Sequence, residues 1–114
     1  KIEKDKILDF VKTEPKQFQL VLISIISLEE RAKLNEIFTG DIYNQYHLFC
    51  ERTKTDVLTQ RRVSDILKEF DMVGIINSSV VSKGRQGRTS KIKLSISKQL
   101  LPKVKEILND SLNL

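Results

Sequence analysis

Between residues 60 and 94 the apolar residues change their period, and that change restricts the fold more than any other feature of the chain. Val63, Ile66, Leu67 and Phe70 fall at i, i+3, i+4 and i+7, a single helical stripe. The spacing predicts a helix over about 60–73. Thr59 is its expected N-cap, because a threonine hydroxyl can accept from the free N–H groups of a first turn. Gly74 stands where helices end in a left-handed residue. Directly after it the period drops to two. "IINSSVVS" (75–82) and "TSKIKLSI" (89–96) are rich in β-branched residues. In the second, Ile92, Leu94 and Ile96 alternate with Lys91, Lys93 and Ser95, as in a half-buried strand. The "KGRQGR" between them reads as a turn, with two glycines that tolerate positive φ. A helix therefore runs straight into a β-hairpin.

The rest of the chain reads as helices. Residues 2–13 place Ile2, Ile7, Leu8, Phe10 and Val11 among charges, and Glu14-Pro15 closes that helix. Residues 16–31 are apolar around most of the circumference, from Leu20 to Leu28, so that helix is buried on several sides. Ile37 and Phe38 are expected to pack inward. Thr39 is an N-cap candidate and Asp41 suits a first turn. A helix over about 41–53 puts Ile42, Tyr46, Phe49 and Cys50 on one face. Cys50 reads as a small core residue, and His47 falls away from that face. After a turn at 53–58 comes the stripe helix, then the hairpin. A last helix over about 98–109 gathers Leu100, Leu101, Val104, Ile107 and Leu108, with Pro102 in its first turn. Three helices followed by a two-stranded hairpin, the helix before it facing outward, make a winged helix-turn-helix, a mainly α fold with a β-hairpin (α+β).

At 114 residues the chain suits one domain with a core that needs no disulfide or metal. Its single cysteine rules out an intrachain disulfide and points to a reducing, intracellular compartment. One cysteine and one histidine cannot build a Cys/His zinc site. No apolar run approaches the roughly 18 residues of a membrane span, and no secretory signal is present. The chain begins with Lys1, which suggests a piece of a longer protein. The net charge is +5 and its placement is uneven: residues 59–93 hold eight basic and three acidic residues, whereas the remainder holds twelve of each. All of the excess lies in one third of the chain, which points to a polyanionic partner or to a solvated basic surface.

Outward residues carry the choice between these. With the stripe on the core, the exposed face of the 60–73 helix centres on Arg61, Asp65 and Lys68, flanked by Arg62 and Ser64. Gln60, Arg61, Arg62 and Ser64 lie in the first turns, the end that meets base edges in helix-turn-helix proteins. Arginine suits guanine, glutamine suits adenine, and serine suits base or phosphate. Arg61 and Arg62 could instead pair with Asp65, at about 0.2–0.5 kcal/mol per pair. The hairpin turn has no acid to pair with. Its glycines, Gly84 and Gly87, have two residues between them, whereas a phosphate-binding P-loop needs four, then Gly-Lys-Ser/Thr opening a helix. A nucleotide loop is therefore excluded. Arg85 and Arg88 at the tip could enter a narrow minor groove or simply hold a phosphate backbone. No catalytic Ser/His/Asp, Cys/His or paired-carboxylate set is suggested. A winged helix of this kind could also serve a transcription regulator that dimerises through the last helix, or a purely protein-binding module.

The block "LTQRRVSDILKEFDMVGIINSSVVSKGRQGRTSKIKL" (58–94) resembles the C-terminal winged-helix domain of archaeal replication initiators, proteins related to the large subunit of the origin recognition complex and to the cell-division-control helicase loader. Leu-Thr-Gln-Arg-Arg-Val-Ser-Asp, Gly-Ile-Ile and Gly-Arg-x-Gly-Arg-Thr carry the likeness, and "GDIYNQYHLFCERT" (40–53) resembles the preceding helix. The likeness spans about 16–108. It implies double-stranded origin DNA as partner. Thr59, Gln60, Arg61, Arg62, Ser64 and Lys68 would serve the major groove. Lys83, Gly84, Arg85, Gln86, Gly87, Arg88, Thr89 and Lys91 would serve the wing in the minor groove. Residues 1–14 would be a linker helix from an ATPase module and 15–114 the DNA-binding domain. ATP or ADP with magnesium would belong to that absent module, and so would contact with the replicative helicase. The fragment itself would be no enzyme, would hold no cofactor or metal, and would be monomeric. Its place would be the cytoplasm, at the nucleoid, with no membrane contact.

Overall fold

The computed structural model describes residues 4–32, 36–82 and 88–114. Along them run α1 (Lys4–Thr13), α2 (Lys16–Ala32), β1 (Ile37–Phe38), α3 (Thr39–Thr53), α4 (Gln60–Met72), β2 (Ile76–Ser82), β3 (Arg88–Leu94) and α5 (Leu101–Leu112). Helix α2 is the axis of the molecule. Every residue from Leu20 to Ile26 is buried, as its unbroken apolar run requires. The one serine in that run is satisfied locally, its Oγ donating to the Leu20 carbonyl at 2.7 Å. Gln19, also buried, ties three helices together. Its Nε2 donates to the Val11 carbonyl of α1 at 3.0 Å, and its Oε1 accepts from Ser111 of α5 at 2.8 Å. Ile7 and Val11 bring α1 into the same core, while α5 contributes Val104, Leu108 and Leu112.

Helix α4 is fixed at both ends and along its stripe. Val63, Ile66, Leu67 and Phe70 are all buried, as their spacing predicts. Phe70 meets Phe10 and Phe18 edge-on, at centroid distances of 6.3 and 6.0 Å, which seats α4 against α1 and α2. Thr59 Oγ1 accepts from the Arg62 N–H at 3.2 Å, the expected cap. At the other end Gly74 has φ +85°. The Ile75 N–H reaches back to the Phe70 carbonyl at 3.0 Å and the Gly74 N–H to that of Asp71 at 3.1 Å. That pair of bonds is the Schellman ending, and buried Ile75 lies over buried Phe70.

The sheet has three strands in the order β1-β3-β2, all antiparallel. The hairpin register runs from Ile76 opposite Leu94 to Ser82 opposite Arg88. β1 adds Ile37 opposite Ile92 on the far edge. Ile37 was expected only to pack inward; its two-residue strand is too short to leave a period in the sequence. Other boundaries also differ. Thr39 does not cap α3: the helix begins at it, and the Phe38 N–H donates to Asp41 Oδ2 at 2.9 Å. The aspartate three residues on reaches back to the N–H of the capping position instead, a different donor from the first-turn N–H groups that the threonine was expected to serve. The last helix starts at Leu101 rather than 98, because Ser97 first holds a turn, its Oγ accepting from the Leu100 N–H at 3.2 Å. β3 leaves the ladder after Leu94, although Ile96 is still buried. Helix, helix–turn–helix, hairpin and closing helix together are a winged helix, mainly α with a small antiparallel sheet. The hairpin turn, with Lys83, Gly84, Arg85, Gln86 and Gly87, lies outside the described residues, as does the side chain of Arg88.

Candidate nucleic-acid interface

The corner between α3 and α4 decides where the basic end of α4 points. Two tyrosines one turn apart on α3 hold it. Tyr43 donates its hydroxyl to the Leu58 carbonyl at 2.8 Å, and the Leu58 N–H donates to the Tyr46 hydroxyl at 2.9 Å. Tyr46 in turn donates to Gln17 Oε1, and Gln17 Nε2 donates to the Asp56 carbonyl at 2.8 Å. Both backbone groups of Leu58 and the Asp56 carbonyl are thus bonded from α2 and α3 rather than left to water. Burial pushes the Tyr46 phenol up to about 12, so it stays protonated and keeps its donor. Burial also pushes the Cys50 thiol up, in keeping with a core residue and not a nucleophile.

Held this way, α4 presents Gln60, Arg61 and Arg62 to solvent at its first turn. Among the described residues, neither arginine forms an ion pair or a side-chain hydrogen bond, so the pairing with Asp65 that helical spacing allows is not made. Lys68, one turn on from Ser64, is exposed and equally unpaired among those residues. Of the acids of the helix, Asp65 stands in its second turn, and Glu69 and Asp71 lie toward its other end. Beside them Glu14 has its pKa raised, first by burial and then by the charge of Glu69. Helix polarity and side chains thus add: the N-terminal end is positive and the C-terminal end is not. A polyanion is attracted to the first turn, where Arg61 and Arg62 stand.

The wing side is mixed. By the alternation of β3 around buried Ile92, Lys91 and Lys93 share the sheet face opposite to it, cross-strand from Ser79 and Asn77. Lys91 Nζ is occupied by Glu36 at 3.2 Å, while Lys93 is exposed. Thr89 is half-buried, its Oγ1 3.3 Å from that of Thr39. Between α4 and the sheet lies a cleft of about 300 Å³, lined by apolar Leu67 and Ile92 as well as by Lys68, Ser64 and Thr89. Thr39, read from the sequence only as a cap, also lines it, as do Ser78 and Ser90 of the hairpin, which sequence reasoning did not single out. Their alternation along the hairpin was readable, but which face of the hairpin meets α4 was not. Among the described residues no helix is long and apolar enough to cross a membrane, and no three His, Cys, Asp or Glu side chains form a metal-holding group.

Comparison with known proteins adds to this geometry. The family model for the CDC6 C-terminal winged-helix domain matches residues 9–104. ORC1-type DNA replication protein 7 of Halobacterium salinarum is 49% identical over 96 residues, 84% of this chain and 18% of that protein. ORC1-type DNA replication protein 1 of Methanosarcina mazei is 50% identical over 97 residues, 84% of this chain and 23% of its own length. The chain thus spans less than a quarter of either relative. Among solved structures, the Aeropyrum pernix ORC1 protein in complex with DNA superimposes with a TM-score of 0.83 at 36% identity, covering 95% of this chain and 27% of that one. CDC6P from Pyrobaculum aerophilum has a TM-score of 0.72 at 15% identity, over 97% of this chain and 27% of its own, and shares the fold.

Proposed function

Because this chain belongs to the family of CDC6 C-terminal winged-helix domains, we propose that it binds double-stranded DNA at replication origins in a sequence-directed way. Helix α4 enters the major groove by its N-terminal end, with Gln60, Arg61 and Arg62 toward base edges and Ser64, in the second turn, toward the phosphate backbone. The β2–β3 wing, through Lys83, Arg85 and Arg88 at its turn, follows the adjacent minor groove. The observation that carries this reading is the pair of exposed arginines at the α4 N-terminus, held out by a corner tied to both tyrosines and matched to no acid among the described residues. The likeness to an ORC1 protein solved with DNA supports it.

The parent protein, on this reading, carries an ATPase module that takes ATP or ADP with magnesium and acts with the replicative helicase in the cytoplasm, at the nucleoid. Residues 1–14 lead in from that module and 15–114 form the DNA-binding domain, without a catalytic role of its own. The isolated domain is monomeric. Helix α5 already buries Val104, Leu108 and Leu112 within the chain, which counts against a regulator that dimerises through it.

A binding titration across salt concentrations tests the proposal. With about five phosphates neutralised, log K falls against log salt with a slope near −4 to −5. A flat response, or no binding, refutes it. Arg61→Ala or Arg62→Ala should lose about 1–3 kcal/mol on the cognate site, and Arg85→Ala or Arg88→Ala should weaken all duplexes alike. Equal losses on random duplex for all four would remove the division of labour.

A further inference from the structure

A protein that reads a major groove with a helix and the neighbouring minor groove with a hairpin must straddle the sugar-phosphate strand that separates them. Between α4 and the β2–β3 sheet the described residues leave a notch along which such a strand would run. That notch is the cleft already described, and hydroxyls outnumber every other polar group along it. Ser64 and Lys68 line it from α4, Ser78 from β2, Thr89 and Ser90 from β3, and Thr39 from the start of α3. Resting on the DNA reading, we propose that this notch is a seat for one backbone phosphate of the straddled strand, gripped by hydroxyl donors and a single lysine.

The state of the hydroxyls argues for it. Many of the molecule's hydroxyls close bonds to nearby carbonyls: Thr13 to Asp9, Ser24 to Leu20, Thr53 to Phe49. In the notch, Ser64, Ser78 and Ser90 make no side-chain hydrogen bond among the described residues. Thr39 and Thr89 share one contact at 3.3 Å, which uses one hydroxyl hydrogen and leaves the other free to donate. Unused donors gathered in one recess, with the Lys68 ammonium, match an anion whose oxygens accept from several directions. Neutral donors also hold a phosphate at little desolvation cost when the site is empty, unlike a cluster of buried cations.

Asp71 sets the register. It lines the same cleft one turn beyond Lys68 and would repel a phosphate there. The strand is therefore held at the level of Ser64 and Lys68, about the middle of α4. That placement brings the first turns of α4, and not its acidic end, over the bases. Val80 is cross-strand from Ser90 and 65% exposed, and it offers the apolar contact that a deoxyribose ring can use.

The test compares the whole chain with two variants on duplexes of mixed sequence across a salt series. Neutral hydroxyls release no counterions, so Thr39→Val/Ser64→Ala/Ser90→Ala should bind about tenfold more weakly on every duplex at an unchanged salt slope. Lys68→Met should weaken all duplexes too, with the slope shallower by about 0.9. Lys68 is exposed, so this variant keeps the test decisive even if the triple variant folds poorly. Wild-type binding with the expected slope, combined with both variants behaving like it, overturns the seat and leaves the DNA reading standing. Losses confined to one DNA sequence also overturn it, since the notch would then read a base. A wild type indifferent to duplex DNA removes both together.

Discussion

Tyr46→Phe asks how much of the helix–turn–helix corner rests on one hydroxyl. Tyr46 is fully buried, and its oxygen accepts from the Leu58 N–H at 2.9 Å while donating to Gln17 Oε1. Phenylalanine keeps the ring and its packing, so the change is close to a pure deletion of that oxygen. The Leu58 N–H then sits in a half-buried corner without an acceptor, at about 1–3 kcal/mol. Gln17 is only half-buried, so water can replace the lost donor and that side adds little. Tyr43 still holds the Leu58 carbonyl at 2.8 Å, which keeps the corner folded. The expected loss is about 2 kcal/mol, or roughly 8 °C in Tm for a chain of this length. Urea and thermal unfolding followed by circular dichroism measure it, with the m-value unchanged. Tyr43→Phe, which only frees a half-exposed carbonyl, should cost less, about 0.5–1.5 kcal/mol. A Tyr46→Phe protein within about 0.5 kcal/mol of wild type, or one more stable than Tyr43→Phe, would refute the reasoning.

Gly74→Ala should lose about 1–2 kcal/mol, because φ +85° strains any L side chain even though an added methyl meets nothing within 4 Å; unchanged urea midpoints would contradict the Schellman ending. Tyr46 also makes stability fall at high pH. Its folded pKa is raised from 10.0 to about 12, so its contribution is intact below 10 and is lost as pH climbs through that interval. The fall should be shallower in Tyr46→Phe, and identical alkaline curves would disprove it. Cys50 is fully buried with its thiol pushed up, so native protein at pH 8 should resist iodoacetamide until urea unfolds it. Lys105→Met should change stability by no more than about 1 kcal/mol, since its 2.6 Å pair with Glu30 is part-exposed on both sides.

Much of this protein is legible without a structure because its elements announce themselves locally. The stripe Val63, Ile66, Leu67, Phe70, the cap at Thr59, the stop at Gly74 and the alternation from Lys91 to Ile96 each depend on residues a few positions apart. Periodicity and turn chemistry therefore suffice to read helix, hairpin and their order, and with them the outward set Gln60, Arg61 and Arg62. Other features arise from residues far apart in the chain. The strand Ile37–Phe38 exists only because β3 is there to pair with it. Lys91 reads as one more cation of the wing, yet Glu36 across that pairing occupies it. Asp65 has the right spacing for Arg61 and does not bond it. The cleft joining Thr39, Ser64 and Ser90 combines three elements that no window of sequence contains. The sequence alone determined the identity and order of the helices and the hairpin, because local periodicity encodes which face must leave water. Which polar groups then meet, and so where a phosphate could rest, was decided by tertiary packing, because burial selects a face without naming what lies opposite it.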